Sequence, residues 1–343
     1  MSVLTRLVRT RSGARAPGEV TAGGPPPPAR RLSASIEGWP LAVIALAAYL
    51  VLPLTLSAYH LYLLDLVCVY VLVAVGLNIV MGVARQFALA SAGFFGVGAY
   101  SSTLLIVKLG WPFWLGLPAA ALLAGVAGAL TSLAAWRVTG LYLAMVTFGF
   151  GEIVQFVLIH WDALTKGPDG LSVPRPAVAG FVFESERHIF WLYVPLTVAV
   201  VWAVRWLLAG RLGRALTALG DSEIALSALG LTPAYYKTVA FALSGACAGV
   251  GGVMFASVVG FIDPYTFGLQ QTLLHLTMIS VGGIGSLGGS VLGAGALTLL
   301  ADVLRGAAGL QEIVYGAILL VVFIFCPGGL APLLGRLAGG RRW

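Results

Sequence analysis

WPFWLGLPAAALLAGVAGALTSLAAW, residues Trp111–Trp136, holds no charged side chain across its whole length. Wound as an α-helix at about 1.5 Å per residue, it outspans the ~30 Å hydrocarbon core of a bilayer, which takes about 20 apolar residues. A helix satisfies every backbone N–H and C=O within itself, which lipid demands. Leu41–Ala58, Val239–Ile262 and Ser286–Ala301 repeat the pattern with few or no charges. The composition agrees, with 59% hydrophobic and 10% charged residues among 343. An ordinary soluble domain carries about 25% charged residues. A membrane β-barrel would show alternating segments of about ten residues, and none is present. The sequence therefore predicts an all-α polytopic membrane protein.

Working outward gives ten apolar segments, at about 41–59, 61–83, 87–107, 112–136, 141–160, 189–208, 238–261, 270–284, 287–304 and 312–326. These are about ten transmembrane or re-entrant helices within a membrane domain spanning 39–334. The third begins with polar and glycine positions that point to a bent or re-entrant start. The eighth and ninth are split only by Gly282, Gly283, Gly285, Gly288 and Gly289, so one broken crossing and two crossings both fit. Residues 1–38 form a basic, Pro-rich tail with a disordered composition, and residues 335–343 form a second basic tail. Basic residues gather on the cytoplasmic side of membrane proteins. Both tails, Arg85, Arg137 and the 210–237 loop then lie in the cytoplasm, and loop 161–188 lies outside. The formal charge of +7 comes from these tails and loops, and it signals topology rather than nucleic-acid binding.

The chemistry inventory is sparse. No GxxxxGK[ST] phosphate loop is present. Gly283, Gly285 and Gly288 match GxGxxG, but within an apolar run and without the βαβ context of a dinucleotide site. His60, His160, His188 and His275 have no ligand spacing, and Cys68, Cys247 and Cys326 form neither a metal motif nor a disulfide framework. No metal, cofactor or catalytic group is expected on this chain. What stands out is glycine beside isolated polar residues. Small residues let helices approach closely in lipid, and they permit breaks along a cavity. The candidate pathway comprises Asn78, Gln86, Gly93, Gly96, Glu152, Gly282 and Gly283. A lone mid-span carboxylate costs about 2.5–3.5 kcal/mol on insertion scales. Glu152 is therefore expected to face the protein interior, as an anchor bonded near Gly149 or Gly151 or as a proton or substrate site.

RLGRALTALGDSEIALSALGL, residues Arg211–Leu231, is polar and helix-like between two apolar runs. Leu212, Leu216 and Leu219 make an apolar stripe, and Asp221, Ser222 and Glu223 supply a cap and an acidic first turn for a second helix. Gly220 and Gly230 are expected to mark that helix's ends, with Pro233 as a stop. A helix–break–helix on the cytoplasmic side suits docking to a soluble partner.

Six stretches in order, GLNIVMGVARQFALASAGFFGVGAY (76–100), GLYLAMVTFGFGEIV (140–154), LTKGPDGLSVP (164–174), GRALTALGDSEIALSALGL (213–231), KTVAFALSGACAGVGGVM (237–254) and VGGIGSLGGSVLGA (281–294), resemble the permease subunits of ABC importers for branched-chain amino acids, in particular the M-type member of the paired permeases. The resemblance runs from about Leu64 to Leu334. It implies a bacterial inner-membrane importer working by alternating access, with a second related permease, two ATP-binding subunits that hold ATP and Mg, and an extracytoplasmic solute-binding protein. It implies that Gly213, Arg214, Ala218, Asp221, Glu223, Ala225 and Gly230 belong to a loop coupled to the ATPase. The family commonly has glycine, serine and glycine where this chain has Arg85, Ala88 and Ala90, and often basic residues at Thr217 and Gly220. A proton- or sodium-driven secondary transporter with Glu152 as coupling carboxylate, and a purely structural subunit, are the rival readings.

Overall fold

The computed structural model describes residues 49, 53–178, 181–183, 185–304, 314, 316 and 317. The segments expected at 41–59 and 312–326 lie largely outside these residues. The two tails and Cys326 lie wholly outside them.

The other eight segments are helices. They are α1 (Ala58–Asn78), continued by a π-helical turn Ile79–Val83, then α2 (Ser91–Leu109), α3 (Phe113–Ala135), α4 (Leu141–His160), α6 (Glu186–Ala209), α9 (Pro233–Val259), α10 (Leu269–Gly282) and α11 (Leu287–Val303). Short helices α5 (Asp162–Thr165), α7 (Arg211–Asp221) and α8 (Glu223–Ala228) fill two of the connections. Six helices among the described residues are long and apolar enough to cross a membrane, fewer than the ten segments read from the sequence. With 14 and 17 residues, α10 and α11 fall short of that length. They are not one crossing broken in line. Gly282 lies against Gly289, and Gly293 lies against the Met278 carbonyl, so the two helices fold back on each other. Gly283 at φ 122° and Gly285 at φ 88° make the reversal, in a region that side chains with a Cβ rarely adopt.

The centre is α9, packed on α1, α2 and α3. In both α1 and α9, 72% of the most apolar stretch is buried, against 22% in α4 and in α6. The first pair is therefore core, and the second stands at the surface of the chain. A Cβ on Gly98 would run into the backbone of Gly249, and one on Gly245 into the Ala124 carbonyl. Close backbone approach between small residues is how helices gain contact where lipid removes the hydrophobic drive.

Contacts sort the loops onto two ends. At one end, Leu171↔Ile262 pairing joins β1 (Leu171–Ser172) to β4 (Phe261–Ile262), and the Lys108 ammonium donates to the Ala163 carbonyl at 2.8 Å. A hairpin of β2 (Ala177–Val178) and β3 (Phe181–Val182) also lies within the 161–188 loop. Tyr59 bonds Asp302 there, and Arg175 meets Glu186 at 3.1 Å. The opposite end holds the Arg85–Asp221 and Lys237–Glu223 pairs and the α10–α11 turn.

Candidate functional site

The second end carries the predicted helix pair. Gly213 is buried against the Leu208 backbone, which folds α7 tightly back on α6. Leu216 and Leu219 are fully buried, as the apolar stripe requires. Ser222 is the cap of α8, its hydroxyl accepting from the Ala225 N–H at 3.2 Å. Asp221 instead ends α7, and Glu223 opens α8. Gly230, at φ 77°, closes α8: its N–H donates to Ser227, and that of Leu231 donates to Leu226. This is the Schellman pattern that satisfies the last carbonyls of a helix.

Gly220 does not mark a helix end as expected. It lies inside α7, where a Cβ would stand 2.8 Å from the Val83 carbonyl oxygen and 3.1 Å from the Arg85 side chain. Its lack of a side chain seats α7 on the π turn. Beside it, the Arg85 guanidinium meets the Asp221 carboxylate at 2.8 Å, both side chains 61% exposed. Exposed pairs of this kind contribute about 0–1 kcal/mol. Arg85 has φ 50°, an unusual conformation for a side chain of this size. The Lys237 ammonium is 2% exposed, and it bonds Glu223 at 2.7 Å and the Ala135 carbonyl at 2.8 Å. It straps α8 to the foot of α9 and the end of α3. Both acids of the loop thus have partners within the chain. What the pair offers outward is Ile224, 84% exposed, and Leu229, 73% exposed, with Arg214 and Ala225 also exposed and Ala218 half-buried.

The π turn under this loop is tied to the α10–α11 reversal by Asn78. Its amide donates to the Ser286 carbonyl at 2.8 Å and the Ser290 hydroxyl at 2.6 Å, and accepts from the Gly285 N–H at 2.7 Å. Beyond the turn, residues 84–90 leave the helix before α2 begins, as the polar start of that segment foretold. Non-helical backbone at this depth needs partners from the protein. The Leu89 N–H finds the Thr147 hydroxyl at 2.9 Å, and the Gln86 N–H finds the Val80 carbonyl.

The seven pathway candidates do not form one lining. Asn78, Gln86, Gly93, Gly96, Gly282 and Gly283 are all buried. Gly93 meets the Cα of Gly151, and Gly96 meets the Phe267 ring. Glu152 does not point inward as expected. It is exposed on α4, and no hydrogen bond or ion pair from it falls within the described residues. Gly149, one turn earlier, faces open space, and Met145, Ile153 and Phe156 on the exposed side are more than half exposed. Glu152 is the one ionisable residue among the described residues that is exposed at the middle of a membrane-length helix. Insertion scales make a lipid-facing carboxylate costly there, so this face of α4 suits water or another protein.

His275 is fully buried, bonded to Ser91 at 3.2 Å and Gln271 at 3.1 Å and ringed by Phe95 and Tyr70. No group of three or more His, Cys, Asp or Glu residues among the described residues is arranged to hold a metal, and Cys68 and Cys247 are free. Sequence reasoning missed Ile224 and Leu229, whose apolar character hid among other apolar residues, and Lys237, whose burial no local pattern reveals. It also passed over Asp65, an acid inside an apolar run.

Residues 59–326 match the family described as branched-chain amino acid transport system / permease component. The chain is 34% identical to the high-affinity branched-chain amino acid transport system permease protein LivM of Escherichia coli strain K12 over 292 residues, covering 78% of this chain and 69% of the relative. It is 34% identical to LivM of Salmonella typhimurium strain LT2, covering 77% and 68%. It is 28% identical to the autoinducer 2 import system permease protein LsrC of Escherichia coli strain K12 / DH10B, covering 83% and 85%.

Proposed function

The chain belongs to the branched-chain amino acid transport system permease family, and from that premise we propose that it is the membrane-spanning subunit of an ATP-driven importer for branched-chain amino acids or similar small organic solutes. It works beside a second, related permease, two ATP-binding subunits that hold ATP and Mg, and an extracytoplasmic binding protein. The observation that carries this reading is the α7–α8 pair. It is a capped helix–turn–helix outside the membrane-length helices, offering Ile224 and Leu229 to a partner while Gly220 seats it on the π turn at Val83 and Asp221 pairs with Arg85 just beyond that turn.

The charge asymmetry supports an orientation. Among the described residues, the end with α7 and α8 holds six Lys or Arg (Arg85, Arg137, Arg205, Arg211, Arg214 and Lys237) against two acids. The other end holds four against five. This rule reads the α7–α8 end as cytoplasmic and loop 161–188 as outside, and the crossings expected at 41–59 and 312–326 would bring both chain termini to the cytoplasmic side. Movement of the docked ATPase pulls on α7, which passes the force to the π turn and, through Asn78, to the α10–α11 reversal. The Glu152 face of α4 then borders the path, where a carboxylate complements the ammonium of an amino acid.

The test is the paired substitution Ile224→Asp with Leu229→Asp in the complex copurified with its ATP-binding subunits. Both side chains stand in solvent, so insertion and thermal stability of the permease stay unchanged. Attachment of the ATP-binding subunits, or stimulation of hydrolysis by loaded binding protein, is lost. Uptake that persists without ATP and collapses with a protonophore would instead establish the secondary transporter with Glu152 as its coupling group.

A further inference from the structure

Among the described residues, two that carry a Cβ have a left-handed backbone, Arg85 at φ 50° and Lys166 at φ 59°. Lys166 closes α5, a common place for such a residue. Arg85 stands where the π turn gives way to the irregular segment 84–90. Glycine takes this conformation freely, whereas a Cβ makes it costly. The Arg85–Asp221 pair, with both side chains 61% exposed, shifts an equilibrium by about fivefold at most. The backbone conformation costs as much or more. Arg85 therefore adds no net stability, and strain kept without a gain in stability points to function.

The segment that Arg85 opens joins α7 to α4. At its start, the Arg85 guanidinium meets the Asp221 carboxylate at 2.8 Å, and a Cβ on Gly220 would stand 3.1 Å from the Arg85 Cγ. At its end, the Leu89 N–H donates to the Thr147 hydroxyl at 2.9 Å. Gly151 faces the Leu89 carbonyl oxygen at 3.7 Å and the Ala90 Cα at 3.8 Å. Thr147 and Gly151 both belong to α4, and Gly151 directly precedes Glu152. Burial alternates in between. Ala84, Gln86, Ala88 and Ala90 are buried, while Arg85 and Phe87 are exposed. The inner side is packed and the Gln86 N–H holds the Val80 carbonyl, yet no helix or strand ladder runs through 85–90. Backbone of this kind shifts at lower cost than a packed helix.

We propose that Arg85 is a positioning residue for transport. Its ion pair with Asp221 makes segment 84–90 a strap that carries displacement of α7 to the Glu152 face of α4. This role rests on α7–α8 being the contact with the ATP-binding subunits, and it is a second route beside the one through Asn78. Arg85 touches neither solute nor nucleotide. Charge is what the role requires, because Gly220 leaves the stem free to swing and only the carboxylate fixes its tip.

The test uses the permease copurified with its ATP-binding subunits. The chain lacks its native cysteines and carries Gly149→Cys, at a position on α4 that faces open space. The rate of its reaction with a maleimide is measured without nucleotide and after trapping with ATP, Mg and vanadate. In the wild-type background, trapping changes the rate. Arg85→Gln reduces that change about two- to fivefold, while the ATP-binding subunits stay attached, unstimulated hydrolysis holds and the thermal midpoint is no lower. Arg85→Lys retains most of the change. Asp221→Asn matches Arg85→Gln, the double variant loses no more, and Arg85→Glu with Asp221→Arg restores the response. An equal change in wild type and Arg85→Gln overturns the role. So does a wild-type rate indifferent to trapping while the ATP-binding subunits are attached. Loss of those subunits from Arg85→Gln also overturns it, since the arginine then serves docking. A wild-type chain that copurifies with no ATP-binding subunit would instead sink the importer reading, and this role with it.

Discussion

Glu223→Ala strikes the strap that holds α8. It leaves the Lys237 ammonium, 2% exposed, with the Ala135 carbonyl as its remaining partner. Removing one member of a fully buried pair costs about 3–5 kcal/mol. Glu223 itself is 36% exposed, so water reaches the vacated position and screens the loss. An unsatisfied buried donor costs about 1–3 kcal/mol, and we take about 2 kcal/mol as the local penalty. That is roughly a 30-fold change in an opening equilibrium. Hydrogen exchange on the purified chain reads it directly, because local openings differ in free energy across a structure. Amides of Glu223–Ala228 and of the first turn of α9 exchange about 30-fold faster in the variant, while the middle of α9 is unchanged. Lys237→Met removes the charge that needs a partner, so Glu223→Ala on that background has little further effect, and the cycle returns a coupling of about 1–3 kcal/mol. Equal effects of Glu223→Ala on both backgrounds, or unchanged exchange in α8, would refute the strap.

Four further outcomes follow. In a cysteine-free chain, Ser172→Cys reacts with an impermeant thiol reagent from outside and Ser33→Cys does not; the reverse pattern would invert the orientation. Gly98→Leu drives a side chain into the Gly249 backbone and costs more than the 1–3 kcal/mol usual for overpacking, read as loss of folded protein. Gly149→Ala, with open space around it, keeps or gains up to about 1 kcal/mol of thermal stability. Arg85→Gly removes an exposed pair and also the cost of a left-handed residue, about 1–2 kcal/mol. Its unfolding midpoint therefore matches or exceeds wild type, and a marked fall would show that the pair is worth more than its exposure suggests.

Much of the architecture was legible because lipid imposes one rule on the backbone. A run such as Trp111–Trp136 has to satisfy its own N–H and C=O groups, and the apolar segments within 61–304 became helices close to their expected bounds. The α7–α8 pair was legible too, since its signals are local: an apolar stripe, a cap residue at Ser222 and a closing glycine at Gly230. Side-chain direction was not local. Glu152 was expected inside because burial of a carboxylate is the usual membrane solution, yet α4 turns that face outward from this chain. Gly220 looked like a break and proved to be a contact, because only the packed structure brings Val83 beneath it. The partners of Asp221 and Glu223 lie 136 residues before and 14 residues after them respectively, at Arg85 and Lys237. The sequence by itself determined where the helices run and which class of membrane protein they build, since those depend on hydrophobic length and local capping. Only the tertiary structure decided which polar groups are paired and which, like Asp65 and Glu152, have no hydrogen-bond or ion-pair partner among the described residues, because that depends on what distant helices bring to the same depth.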